Sequence, residues 1–349
     1  MPTTSVALEE ATTALPRERC RVSPDVLDAL NADGSLDEAL AALQAGRGFQ
    51  IRVRKDPGRY ALYTVVGKLP PAEKGTMRMS RAGLGRVEAK PEALPVRAEA
   101  DTRVVDLPPR GEFTEHLTGF GAGADLVVIA PHGGLIEEHT DAQADLVLSR
   151  LSRAGIAGLG GAKCWVCKGF RPGGGAAERW HITSTDISEH SFPKLKAITS
   201  AFTYAVSFHG FRSGGPGEGG IPPGTEIWIG GRASGTNAKN KDRAEELRLL
   251  QRRIQAALQE GPDDTRVRIA PPGGNLGGGS PRNVVNRLST CGMQIEQTPA
   301  ARQRDPGAAD FIGFGHDRIA RAVAEAYAAA LRDGLVDPRT GERITDPVG

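Results

Sequence analysis

Residues 126–141 read LVVIAPHGGLIEEHTD: a short apolar run breaks directly into Pro131, His132 and two glycines, then Glu137 and Glu138. An apolar run this short, bounded by turn formers, predicts a buried strand rather than a helix. Thr140 or Asp141 then stands where a helix N-cap belongs, ahead of a helical pattern over 141–154. Working outward, short apolar runs and helical stretches keep alternating. DLVVIA, CWVCK, RWHITS, TYAVSFH, EIWIG, RVRIA and GMQIEQ are predicted strands. Helices are predicted near 193–200 and 241–260, and again over 317–334, where Gly334 supplies a stop. This alternation predicts an α/β fold with a mixed sheet, forming one catalytic domain over residues 111–336 and a tail over 337–349.

The N-terminal third follows another pattern. Residues 1–20 are rich in Thr, Ala and Glu and are expected to be poorly ordered. Ser23-Pro24 reads as an N-cap followed by proline at the first helical position, and LDEALAALQ as a second short helix. FQIRVR and YALYTVV alternate as half-buried strands around the turn-forming Asp56-Pro57-Gly58. Residues 21–98 are therefore expected to be a small helix-plus-β unit, and the Pro- and charge-rich stretch that follows a linker over 99–110.

Composition excludes several classes. With 44 Lys+Arg against 42 Asp+Glu the formal charge is +2, so no strong field favours nucleic acid or an anionic membrane. No run approaches the ~20 apolar residues of a membrane-spanning helix, and MPTTSVALEEATTALPRERC has no apolar core of the signal-peptide kind. A cytoplasmic location is expected; oligomeric state is left open. Four cysteines do not make a disulfide framework in a chain this long. Cys164 and Cys167 form a CxxC that fits either a strand with small apolar side chains, a redox pair or a weak metal site.

The chemistry concentrates at strand ends. His132 and Glu137 would sit about 140° apart on a continuous helix, but a turn at Gly133-Gly134 lets imidazole and carboxylate converge. TYAVSFHG delivers His209 to another strand end, before a glycine-rich loop. Two histidines and a carboxylate make a ligand set of the hydrolytic zinc type, holding one ion and leaving a position for water. Glu138 in place of Glu137 is the alternative ligand. GMQIEQ places Glu296 on an apolar strand, where a carboxylate is either an ion-pair member or a general base. Asn283, Asn286 and Arg287 follow a glycine-rich loop. Arg287 is either a surface cation or a planar fork for a substrate carboxylate. His181 in WHITST is a substrate-contacting group or a core histidine.

Taken in order, PHGGLIE, WHITST, SFHG with IWIGG, NVVNR and GMQIE resemble the phage-type poly-γ-glutamate hydrolase family over about residues 125–300. The resemblance implies a zinc-carboxypeptidase-like α/β/α domain with zinc on His132, Glu137 and His209. It also implies Glu296 as the base that activates water, and Asn286 and Arg287 as substrate-recognising residues. The implied substrate is an acidic, peptide-like γ-glutamyl chain. A deacylase of N-acyl amino acids, a cell-wall peptidase and a zinc-containing binding protein are the alternatives.

Overall fold

In TTSVALEE, Val6 and Leu8 turn inward between exposed or half-exposed neighbours, and this alternation makes Thr3–Glu10 a strand, β1. A computed structural model describes residues 2–56, 59–106, 111–153, 160–171, 175–198, 202–211, 226–231, 266–270, 274, 276–289, 292–302 and 314–332. The expectation of poor order over residues 1–20 is therefore corrected for β1. Its backbone groups pair with strands on both sides, parallel to one and antiparallel to the other.

The chain divides into two units, Met1–Glu115 with Gly169–Ala197, and His116–Lys168 with Ile198–Gly349. In the first unit β1 is followed by β2 (Arg19–Val22), α1 (Pro24–Leu30), α2 (Asp37–Gln44), β3 (Phe49–Asp56) and β4 (Arg59–Lys68). After these come β5 (Thr76–Met79), α3 (Arg81–Arg86) and β6 (Val96–Asp101). The strands close into a barrel of order β1-β5-β2-β4-β3-β6. Ser23 stands at the N-cap position of α1 and Pro24 in its first turn, as expected, but the Ser23 hydroxyl makes no capping bond and accepts instead from Thr76 N. The expected linker is overtaken at its start, because Ala98 and Ala100 face the barrel core and make β6 a barrel strand.

Residues 169–197 join this barrel unit, which the single catalytic domain expected over 111–336 did not foresee. Glu18 accepts hydrogen bonds from His181 Nδ1 at 2.5 Å, Thr183 N at 2.9 Å and Thr183 Oγ1 at 2.7 Å. Arg19 binds both oxygens of Asp186. Gln50 donates to the Asp186 carbonyl and accepts from Ser188 N. Arg86 donates to the carbonyls of Glu178, Arg179 and His181. These contacts explain why RWHITS is not a strand: its polar groups find partners on the barrel, and the segment instead ends the short helix α5 (Ala176–Trp180). Helix α6 (Pro193–Lys196) follows.

The second unit is built on a seven-stranded mixed sheet of order β12-β11-β13-β10-β8-β9-β7. Its strands are β7 (Phe113–Gly121), β8 (Leu126–Gly134), β9 (Gly161–Gly169), β10 (Tyr204–Gly210), β11 (Glu226–Gly231), β12 (Arg266–Ile269) and β13 (Gly292–Gln297). β10 runs parallel to both β8 and β13, whereas β11 is antiparallel to β13. Helices α4 (Thr140–Arg153) and α9 (Phe314–Arg332) share one apolar cluster with the sheet; α7 (Val284–Leu288) and α8 (Pro299–Arg302) complete the described helices. Tyr204, Val206 and Phe208 of β10 and Met293 and Ile295 of β13 enter that cluster. Each large apolar side chain so buried contributes about 1.5–3 kcal/mol. By strand alternation Ser207, His209, Gln294 and Glu296 turn to the opposite face. Among the described residues no helix is long and apolar enough to cross a membrane. The expected helix at 241–260 and the tail at 337–349 lie outside the described residues.

On β9 the two cysteines stand three residues apart and so face opposite sides of the sheet. Their α-carbons are about 10 Å apart by strand rise, beyond the roughly 7 Å a disulfide can span. Burial, reinforced by Asp145, pushes the Cys164 thiol well up. The small apolar reading of CxxC fits this geometry.

Candidate metal centre

Strand β8 runs through His132 to Gly134, and the chain then turns before α4. Gly134 takes a φ of 70° and His139 one of 73°. Glu137 N donates to the His132 carbonyl at 2.8 Å, closing the loop, and Thr140 Oγ1 donates to the Glu137 carbonyl at 2.8 Å. Gly133 meets a different demand: a β-carbon there would fall 2.5 Å from Asp141 Cβ and 2.9 Å from the Cys167 carbonyl oxygen. The expected role of the two glycines thus divides, one permitting close approach and the other a left-handed turn.

The loop returns Glu137 to His132, with Oε1 3.0 Å from Nδ1. His209, at the end of β10, brings its Nδ1 to 3.3 Å from His132 Nδ1 and 3.5 Å from Glu137 Oε2. Both imidazoles are buried. Donors held tetrahedrally at about 2.0–2.2 Å from a zinc ion stand roughly 3.3–3.6 Å from one another, so this spacing and this donor chemistry fit the ion. Burial would raise the Glu137 pKa, but the charges and hydrogen bonds of His132 and His209 hold its carboxyl well below the usual range. A carboxylate is the form a metal needs. It is the one group of three or more such donors found among the described residues.

The supporting contacts follow strand period. Ser207, two residues before His209, sets its Oγ 2.7 Å from His209 Nε2, leaving Nδ1 toward the cluster. Gly210 N donates to Glu137 Oε2 at 2.9 Å. Glu296 lies in register beside His209 on the parallel neighbour β13, which puts both on one face. Gln294, two residues before it, donates from Nε2 to Glu296 Oε1 at 2.6 Å and accepts from Asn283 Nδ2 at 2.7 Å. Burial pushes the Glu296 carboxyl up to about 7. The pairs Ser207/His209 and Gln294/Glu296 could have been read from alternation. Arg302, which hydrogen-bonds beside this cluster, has no local signal in PAAR.

Asn286 is buried on α7 and donates from Nδ2 to the carbonyls of Gly278 at 2.6 Å and Ser280 at 2.8 Å. Arg287, next to it, is half-buried. His181 belongs to the barrel unit, where Glu18 holds its Nδ1.

Fold and cluster together define a mixed α/β protein with a two-histidine, one-carboxylate centre at strand ends. A model of the family described as poly-gamma-glutamate hydrolase matches residues 118–305, more than half of the 349-residue chain. The chain belongs to that family and is a hydrolase. Similar solved structures include one described as YNDL-apo (zinc-free), 21% identical, covering 61% of this chain and 89% of that one at a TM-score of 0.42. A bacteriophage poly-gamma-glutamate hydrolase is 20% identical, with 61% and 88% covered and a TM-score of 0.41. A metallo-carboxypeptidase from Burkholderia cenocepacia is 11% identical, with 68% and 72% covered and a TM-score of 0.37. No curated protein matches the chain.

Proposed function

We propose that the protein hydrolyses γ-glutamyl amide bonds, in poly-γ-glutamate or γ-glutamyl peptides, with one zinc ion held by His132, Glu137 and His209. The observation that carries this reading is the convergence of two buried imidazoles and a partly buried carboxylate, 3.0–3.5 Å apart, at the strand ends where Glu296 stands in register with His209. Family membership supports the substrate class. When bound, zinc supplies Lewis-acid activation of water and of the scissile carbonyl.

The chain's own residues supply the rest. Glu296 takes the proton from the attacking water and delivers it to the leaving nitrogen, so that an amine departs rather than an amide anion. Gln294 holds the carboxylate of Glu296 by one oxygen and leaves the other for water. Arg287 offers a planar fork to a substrate carboxylate, with Asn286 shaping the glycine-rich loop beside it.

Metal analysis and product release on γ-linked glutamate oligomers, α-linked oligomers and N-acyl amino acids test the assignment. The wild type is expected to carry zinc stoichiometrically and to cleave the γ-linked oligomers, and His132→Ala to lose the metal. Zinc retained by His132→Ala would refute the ligand set. Cleavage confined to α-linked or N-acyl substrates would refute the specificity, and zinc without turnover on any substrate would point to a binding protein.

A further inference from the structure

Glu137, His209 and Glu296 come from three separate segments, and a single side chain reaches the backbone immediately after each of them. Arg302, the last residue of α8, is buried. Its Nη1 donates to the carbonyl oxygen of Glu138 at 2.5 Å, and its Nε to that of Gln297 at 3.4 Å. Its guanidinium also lies against Gly210, where an added β-carbon would fall 2.4 Å from both Cζ and Nη2. Only glycine leaves that space. The three contacted residues follow Glu137, His209 and Glu296 by one position each.

We propose that Arg302 is a positioning residue that sets the two ligands and the base relative to one another, so that metal affinity and turnover both depend on its guanidinium. The inference rests on the reading of His132, Glu137 and His209 as ligands and of Glu296 as the base. A guanidinium presents its donors in a rigid plane, so binding two carbonyls fixes direction as well as distance; the single ammonium of lysine cannot reproduce both. Gly210 itself donates to Glu137 Oε2, so moving Gly210 moves a ligand. The carboxylates of Glu137, Glu138 and Glu296 favour the charged guanidinium against the effect of its burial, which lowers its pKa. Sequence gives no hint of this role because the contacts are to backbone, and Glu138 and Gly210 lie far from residue 302 along the chain.

The test measures zinc affinity by competition with a chromophoric chelator, together with kcat, KM and thermal melting. It compares wild type, Arg302→Lys, Arg302→Ala and Gly210→Ala, using a γ-linked glutamate oligomer as substrate. Arg302→Lys is expected to weaken zinc binding and lower kcat by about tenfold or more, with KM changing less. Ethylguanidinium added to Arg302→Ala is expected to restore part of both. Gly210→Ala keeps the arginine but displaces its guanidinium, and decides on the same readouts should the Arg302 variants not fold. Wild-type zinc affinity and kcat in folded Arg302→Lys, or in Gly210→Ala, would overturn the proposal. A wild type that binds no zinc would instead remove the metal reading on which it rests, so the two failures are told apart.

Discussion

Burial raises the Glu296 carboxyl to about 7, with His209 opposing the rise and the Glu137 carboxylate adding to it. A general base works ionised, so kcat/KM falls as the pH drops through its pKa. A divalent cation held by His132, Glu137 and His209 would favour the carboxylate, and so the acid limb of the loaded enzyme is expected below about 7. Glu296→Gln is expected to remove that limb and to cost about 10²–10⁴-fold in turnover while zinc stays bound. A pH–rate profile checks both, and an unchanged limb in Glu296→Gln would exclude this residue as the base. His132, Glu137, His209 and Glu296 were legible in the sequence because each is a polar residue at or within an abrupt apolar run. Ser207 and Gln294 were legible in principle through strand period. Arg302 was not: the packing of α8 decides where it points, and packing has no local signature.

Among the elements, the loop from His132 to His139 followed the sequence pattern closely, since two glycines and a cap residue restrict it strongly. RWHITS did not. A short apolar stretch can end a helix as readily as it makes a strand, and the choice fell to Glu18 and Arg86 on distant strand and helix ends. Beside His209, Gln143 of α4 and Gln297 of β13 exchange amide hydrogen bonds at 2.8 and 2.9 Å, both buried, and Gln297 Nε2 also reaches the His209 carbonyl at 3.4 Å. Gln297→Leu is expected to destabilise by about 1–3 kcal/mol, because Gln143 loses this partner in a dry site. Adding Gln143→Leu is expected to recover part of that loss. Denaturant unfolding of the two single variants and the double variant measures the coupling; strictly additive losses would mean that the pair does not act together.

At the scale of the whole molecule, the mixed sheet was read correctly from its apolar runs, while the barrel was only half visible. Its strands β2 and β5 have four residues each, β6 buries only alanines, and β1 pairs with strands far along the chain. The barrel unit is also discontinuous, for residues 169–197 leave the sheet unit to join it. A fragment beginning at residue 116 would strip that segment of Glu18, Arg19, Gln50 and Arg86. Limited proteolysis is expected to cut such a fragment within 175–191 and to spare the same bonds in the full chain. Equal protection in both would show that the segment holds its structure without the barrel.

Strand β13, among the last segments of the sheet in sequence, lies inside it between β10 and β11. A ribosome adding about 5–20 residues per second has therefore made both histidines of the cluster well before the strand that braces His209 exists. Until Gln297 has left the exit tunnel, β11 and β12 have no edge to join and His209 lacks its neighbour on one side. The cluster thus gains its last neighbour only when β13 emerges, and a nascent chain interrupted before it carries His132, Glu137 and His209 without Glu296 beside them.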